Sequence, residues 1–291
     1  MPVALYWVRC RELQASSADA EERIRPLRTH HVPAAPQRRH RTDDGEKIRR
    51  RPCDDFRTSI PIVYLLRMQL VLDVRALELV GRHVEPRAVD LTVEPGEVIG
   101  IAGPPGVGKS ALLRALSGQF PARANQLHVL GVDALREPRR VWESVGYLRG
   151  DAESFLWRLS ARENLRQHAA MKRMPAAIVD REVNVQLRRM GLLARSGASP
   201  RFYERDDRLR LAMAQAWIDG PRLLLLDDPL HGAGPAVTEQ FIGTFDQWLA
   251  EDPERSAVVT ARSLRPFINL MTRAFVLRER WLAPIAPHAL P

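Results

Sequence analysis

A chain of 291 residues with 45% hydrophobic side chains can bury a full core, as one large domain or two modest ones. Its formal net charge of +9 would suit nucleic acid or an anionic membrane face, yet residues 1–67 carry more than half of that excess, and Arg-, Ala- and Pro-rich usage is also what a GC-rich genome produces. The 2 cysteines, Cys10 and Cys53, exclude a disulfide framework or a cysteine-built metal cluster, no apolar run nears the roughly 20 residues of a membrane span, and acids and arginines interrupt the N-terminus too early for a secretory leader.

In chain order, residues 1–67 show no sustained period and include Arg49-Arg50-Arg51-Pro52. They are expected to be disordered, or to precede the true start near Met68. Strands are expected at Gln69 to Val74 and at Val89 to Val93, where Val89, Leu91 and Val93 alternate with polar residues. Pro95-Gly96 then turns the chain into a short apolar run, Val98 to Ala102.

That run opens onto Gly103-Pro104-Pro105-Gly106-Val107-Gly108-Lys109-Ser110, followed by a helical stretch from Ala111 to Leu116 that Gly118 and Pro121 end. Strand, glycine-rich loop and helix in this order make a phosphate-binding P-loop. The glycines allow a tight backbone turn, so that successive amides and a helix N-terminus converge on a polyphosphate. Lys109 is placed to reach the β- and γ-phosphates, and the Ser110 hydroxyl to ligate Mg2+. The chain is therefore expected to bind a nucleoside triphosphate.

From Ala152 to Arg201 strand signals give way to helical ones, at Glu163 to Met171 and Ile178 to Leu193. Strands return at Arg222–Leu226, Ala257–Thr260 and Ala274–Leu277. Between the first two of these lies a helix with Val237, Phe241, Phe245, Trp248 and Leu249 on one face. Alternating strands and helices predict an α/β fold with a largely parallel sheet and a helical insert. Leu223-Leu224-Leu225-Leu226-Asp227-Asp228-Pro229 reads as a strand covered on both faces that ends in two carboxylates. Asp227 is the candidate to hold Mg2+ through water at the carboxyl end of that strand.

The order and spacing of these pieces resemble the nucleotide-binding subunits of ATP-binding-cassette (ABC) transporters over residues 68–284. Beyond the P-loop, the resemblance rests on Leu91-Thr92-Val93-Glu94-Pro95-Gly96-Glu97, on Val145-Gly146-Tyr147-Leu148 followed by Ser160-Ala161-Arg162-Glu163-Asn164-Leu165, on Leu211 to Trp217, and on Phe275 to Leu282. It implies a P-loop NTPase of the ABC type, with a mainly parallel core sheet, antiparallel lead-in strands, a helical subdomain at about 150–205 and a tail at 285–291. It also implies that ATP is held by Gly103, Pro104, Pro105, Gly106, Val107, Gly108, Lys109, Ser110 and Ala111, with Mg2+ at Ser110 and Asp227. Lys109 and Asp228 stand at the catalytic positions.

By the same resemblance the chain would dock on a transmembrane permease through about residues 150–175 and pair with itself or another ABC cassette. It would work from the cytoplasm, peripheral to the inner face of the cell membrane, and no specific nucleic-acid partner is expected. GPPGVGKS also resembles the AAA+ ATPases, which bring their acidic strand much sooner after the P-loop.

The departures from the family pattern carry chemistry of their own. Val80 stands where an aromatic would stack on adenine, Gly150 at the Q-loop glutamine, Asp228 at the usual glutamate, Ala261 at the switch histidine and Gly234 at the D-loop aspartate. Tyr203-Glu204-Arg205-Asp206-Asp207 aligns with the signature. Its carboxylates are expected to cap the helix they begin, while placing anions where a triphosphate would dock. Asp228 is one methylene shorter than glutamate, and a misplacement of about 1 Å costs about 100-fold in such chemistry. His231 reads as a loop histidine beside the site. Nucleotide binding is expected to survive, with weakened adenine stacking and slow or absent hydrolysis; the alternative is a nucleotide-gated regulatory module without a transport role.

Overall fold

The structure, a computed structural model, describes residues 70–80, 88–150, 155–278 and 281–286. The expectation for residues 1–67 lies outside the described residues. Two sheets organise the chain. The first is antiparallel, with β1 (Leu72–Leu79) between β2 (Val89–Val93) and β5 (Gln126–Val129); β6 (Val132–Asp133) lies beyond β5, and β4 (Ala122–Arg123) also pairs with β1.

The second sheet runs β11-β10-β3-β9-β8-β7, from Trp281–Ile285 and Arg273–Arg278 through Val98–Ala102, Ser256–Ala261 and Leu223–Asp227 to Gly146–Arg149. All its pairings are parallel except the β10–β11 hairpin. The α/β class with a mainly parallel core sheet and antiparallel lead-in strands is thus the observed architecture.

The all-leucine strand shows why this sheet is central. Leu223 and Leu225 belong to one core cluster, together with Ile99, Ile101, Val258, the antiparallel sheet and α1 (Lys109–Leu116). Leu224 and Leu226 face the opposite cluster, with α5 (Arg205–Trp217) and α6 (Pro235–Glu251). A strand buried on both faces has no use for polar alternation. On α6, Phe241 meets Trp217 and Phe267 edge-on, with ring centroids 5.8 and 6.0 Å apart, and Phe245 stacks on Trp248 at 5.8 Å.

Between β7 and α5 the chain is helical: α3 (Ala161–Met171), α4 (Ala176–Arg189) and two 3-10 turns. The start of α3 follows from its sequence. Ser160 accepts from the Glu163 amide at 3.2 Å while the Glu163 carboxylate accepts from the Ser160 amide at 2.8 Å, a complete capping box. The buried Asn164 side chain ties down the preceding loop, accepting from the Leu156 amide at 2.8 Å and donating to the Ser160 carbonyl at 2.9 Å. The sequence signals mark no element between Pro121 and Val145, where the structure has β4, β5, β6 and α2 (Pro138–Ser144). Strands of two to four residues are too short for a period to show.

Because β3, β7, β8 and β9 run parallel, their carboxyl ends share one edge of the sheet. The P-loop after β3, Gly150 after β7, Asp227-Asp228 at the end of β8 and Ala261-Arg262 at the end of β9 all emerge there. Open α/β sheets bind their ligands at this edge.

Candidate nucleotide site

Two glycines shape the loop after β3. Gly106 and Gly108 have φ of +79° and +106°, backbone that L side chains rarely adopt. Gly108 is also the N-cap of α1, and neither a side-chain cap nor an acidic first-turn residue competes for the leading amides of that helix. The loop thus ends on free donors at the positive end of a helix, suited to an anion. Lys109 folds back over the loop, its Nζ donating to the carbonyls of Gly103 at 2.7 Å and Pro104 at 2.9 Å. Burial lowers the Lys109 pKa; Asp228 and Asp227 pull it back up, and Arg262 lowers it further.

Asp227 is the hub of the adjoining cavity. Its Oδ1 accepts from Ser110 Oγ and from Thr260 Oγ1, each at 3.0 Å. Burial raises the pKa of its carboxyl, against the two hydroxyl bonds. A half-buried carboxylate with two hydroxyls around it fits a hard divalent cation that prefers oxygen ligands, as Mg2+ does. Ser110 and Asp227, called from sequence, are therefore adjacent. Thr260 was not legible, because its place beside Asp227 depends on the β8–β9 register, in which the two residues face each other.

Asp228 sits in an unusual backbone conformation for a non-glycine residue, with φ +45°. Its amide donates to the Thr260 carbonyl at 2.7 Å, its carbonyl accepts from the His231 amide at 3.0 Å, and its Oδ2 lies 3.4 Å from His231 Nδ1. The cavity in front of it, about 290 Å3, is lined by Ser110, Tyr147, Gly150, Asp227, Asp228 and His231 among others. Gly150 is pressed against this turn. Its amide donates to the Asp227 carbonyl at 2.8 Å, and a Cβ there would stand 2.1 Å from the Asp228 carbonyl oxygen. A glutamine at this position has no room for even its first side-chain carbon.

The acidic start of α5 departs from expectation. Glu204 is the N-cap residue, yet no side chain caps the helix. Good N-caps are short side chains that fold back on the N2 or N3 amide, whereas Glu204 is longer and Asp206 and Asp207 already lie within the first turn. Their carboxylates bond sideways instead: Asp206 accepts from the Gly234 amide at 3.3 Å, and Asp207 pairs with Arg195 and, at 2.8 Å, with Arg210. Arg205 donates to the His231 carbonyl at 2.6 Å. The segment aligned with the signature is thus clasped to the loop that follows Asp228 in the same chain. The Ala261 side chain is buried among apolar residues, and Val80 is 43% exposed.

A family model described as ABC transporter matches residues 86–231, half of the chain, spanning the P-loop, the helical segment and the Asp227 strand. The chain belongs to the ABC transporter family. This cassette is 33% identical over 172 residues to the cytochrome c biogenesis ATP-binding export protein CcmA of Bordetella bronchiseptica, covering 59% of this chain and 75% of that one. It is 28% identical over 193 residues to the ABC transporter ATP-binding protein YdbJ of Bacillus subtilis, covering 66% of this chain and 61% of that protein's length. Its fold resembles that of the ATP-binding cassette MJ0796, solved as a dimer in a post-hydrolysis state with ADP and Pi, at a TM-score of 0.64 and 18% identity over 73% of this chain and 96% of that one.

Proposed function

We propose that this cassette is the ATP-binding subunit of an ABC-type membrane transporter, binding Mg-ATP through Gly103–Ala111 and Asp227 and hydrolysing it slowly or not at all. The observation that carries this reading is the combination at one sheet edge. Lys109, Ser110 and Asp227 lie together as a phosphate and Mg2+ site needs, whereas Gly150 and Ala261 stand where the family carries a glutamine and a histidine. Mg2+, when bound, supplies positive charge to the phosphate oxygens. The protein holds the phosphates with loop amides and Lys109, and the metal with Ser110 Oγ and the Asp227 carboxylate. Asp228 is the remaining carboxylate able to orient a water; Gly150 and Ala261 offer it no polar side chain as a neighbour.

Docking on a permease is supported by a groove of about 220 Å3 beside α3, lined by Trp142, Leu156, Asn164, His168 and Met171 among others, where Leu156 and Met171 are 54% and 56% exposed. No helix among the described residues is long and apolar enough to cross a membrane. Attachment to the cytoplasmic face would then come from the permease. Pairing with a second cassette is supported by the dimeric form of the MJ0796 relative.

Calorimetry on the 291-residue chain with Mg2+ and a non-cleavable ATP analogue tests binding. Heat of binding is expected for the wild type and its loss in Lys109→Ala; no binding by the wild type would sink the reading. A turnover like that of ordinary transport ATPases would overturn the slow-hydrolysis part. Nucleotide-dependent dimers that never co-purify with membranes would favour a soluble regulatory module over a transporter subunit.

A further inference from the structure

Asp228 and His231 are the two ends of one turn. The His231 amide donates to the Asp228 carbonyl at 3.0 Å, and the Asp228 amide donates to the Thr260 carbonyl at 2.7 Å, so the turn is pinned to β9 where β8 ends. Asp228 takes a φ of +45° there, a conformation that a residue other than glycine keeps only when its surroundings impose it. The turn is gripped from the other side as well. Arg205, the first residue of α5, donates to the His231 carbonyl at 2.6 Å. The neighbouring Gly232 has φ +64° and leaves room for that guanidinium, since a Cβ there would stand 2.8 Å from Arg205 Nη2.

Both the amide and the carbonyl of His231 are thus engaged, which fixes where its ring can stand. Its Nδ1 lies 3.4 Å from Asp228 Oδ2, and both residues line the cavity that also holds Ser110 and Asp227. The imidazole makes no other hydrogen bond or ion pair among the described residues. The His231 and Asp228 side chains are 55% and 37% exposed, and a pair so open to water adds little to stability. Stability therefore does not account for a turn held this firmly around them.

We propose that His231 is a positioning residue for hydrolysis: its Nδ1–H holds the Asp228 carboxylate on the water that attacks the terminal phosphate. This deepens the nucleotide reading above, rests on it, and selects slow hydrolysis over none. An aspartate is one methylene shorter than the family's usual glutamate and its carboxylate turns freely unless held, while a misplacement of about 1 Å costs about 100-fold. In the step itself, the water oxygen bonds to the terminal phosphorus as the bond from that phosphorus to the bridging oxygen breaks. ADP leaves with the bonding pair, and the water's proton passes to Asp228. A gap of 3.4 Å is longer than a good hydrogen bond, as such pairs often are before their ligand arrives, and it tightens when nucleotide fills the cavity.

The test is phosphate release from Mg-ATP in a single turnover with the full chain in excess, beside the affinity for Mg2+ and the β,γ-imido analogue of ATP. His231→Ala is expected to slow release about tenfold, part of the loss that a misplaced carboxylate brings, and to leave the analogue's affinity within about twofold. His231→Asn, whose amide nitrogen stands near the place of Nδ1, should recover most of what alanine loses, whereas His231→Phe keeps a ring without the donor and should not. Added to Asp228→Asn, His231→Ala should cost less than about twofold more, because it acts through that carboxylate. Should the alanine variant not fold, the contrast between Asn and Phe decides. An alanine variant as fast as wild type, a fall in analogue affinity that matches the fall in rate, a phenylalanine variant as fast as the asparagine one, or additive losses in the double variant overturns the assignment. If wild type releases phosphate no faster than Asp228→Asn while the analogue still binds, the positioning role falls and the nucleotide-binding reading stands. If the analogue does not bind, both fall.

Discussion

Replacing Gly150 by alanine adds one carbon at a point where the structure has no space. That Cβ would lie 2.1 Å from the Asp228 carbonyl oxygen and 2.8 Å from that of Asp227, so the β7 and β8 ends would have to part by about 1.3 Å or more to reach ordinary van der Waals contact. Forcing extra volume into a packed site costs about 1–3 kcal/mol, and parting the strands also weakens the Gly150–Asp227 backbone hydrogen bond, worth about 1 kcal/mol. The expected loss is about 2–4 kcal/mol, a fall in Tm of roughly 5–15 °C for a domain of this size. Because the clash is with Cβ, Gly150→Gln should cost about as much as Gly150→Ala, and neither should restore hydrolysis. Thermal melts of both variants beside wild type, with phosphate release measured on each, make the assay. A glutamine variant as stable as wild type would refute the steric argument, and one that also hydrolysed ATP briskly would show that glycine here is mere sequence drift.

Two further outcomes follow from the buried charges. Asp227→Asn keeps an oxygen for Ser110 and Thr260 and removes a carboxylate whose charged form burial disfavours; nucleotide-free Tm should hold or rise at neutral pH while Mg2+-dependent binding is lost, and a large fall in Tm would contradict it. His168, beside Trp142 and Lys172, has its pKa pushed down to about 3, first by burial and then by Lys172. Its folded-state pKa lies below the unfolded value, so its full share of stability is present above about pH 6.5 and is lost as pH falls toward 3, about 2 kcal/mol by pH 5. Denaturant melts at pH 7 and pH 5 should show that loss, and His168→Phe should shrink it; an unchanged acid slope in the variant would assign the effect elsewhere.

The parts of this cassette legible in its sequence are those written in local order. Gly106 and Gly108 announce backbone that only glycine adopts easily, Lys109 and Ser110 follow them at the spacing a phosphate requires, and four consecutive leucines ahead of two carboxylates suit a strand covered on both faces. Ser160 and Glu163 likewise mark the start of α3, because a capping box needs no residue beyond its own turn. What tertiary structure decided is which distant groups became neighbours: Thr260 beside Asp227, Gly150 wedged under Asp228, Arg262 next to Gly103, and Asp206 bonded to Gly234 instead of to its own helix. The register between parallel strands is set by how long crossover segments pack against the sheet, and a one-residue slip would place each of those side chains on the other face. Local spacing carries no information about that choice; burial of Leu224, Leu226, Trp217 and Phe241 in one shared core does.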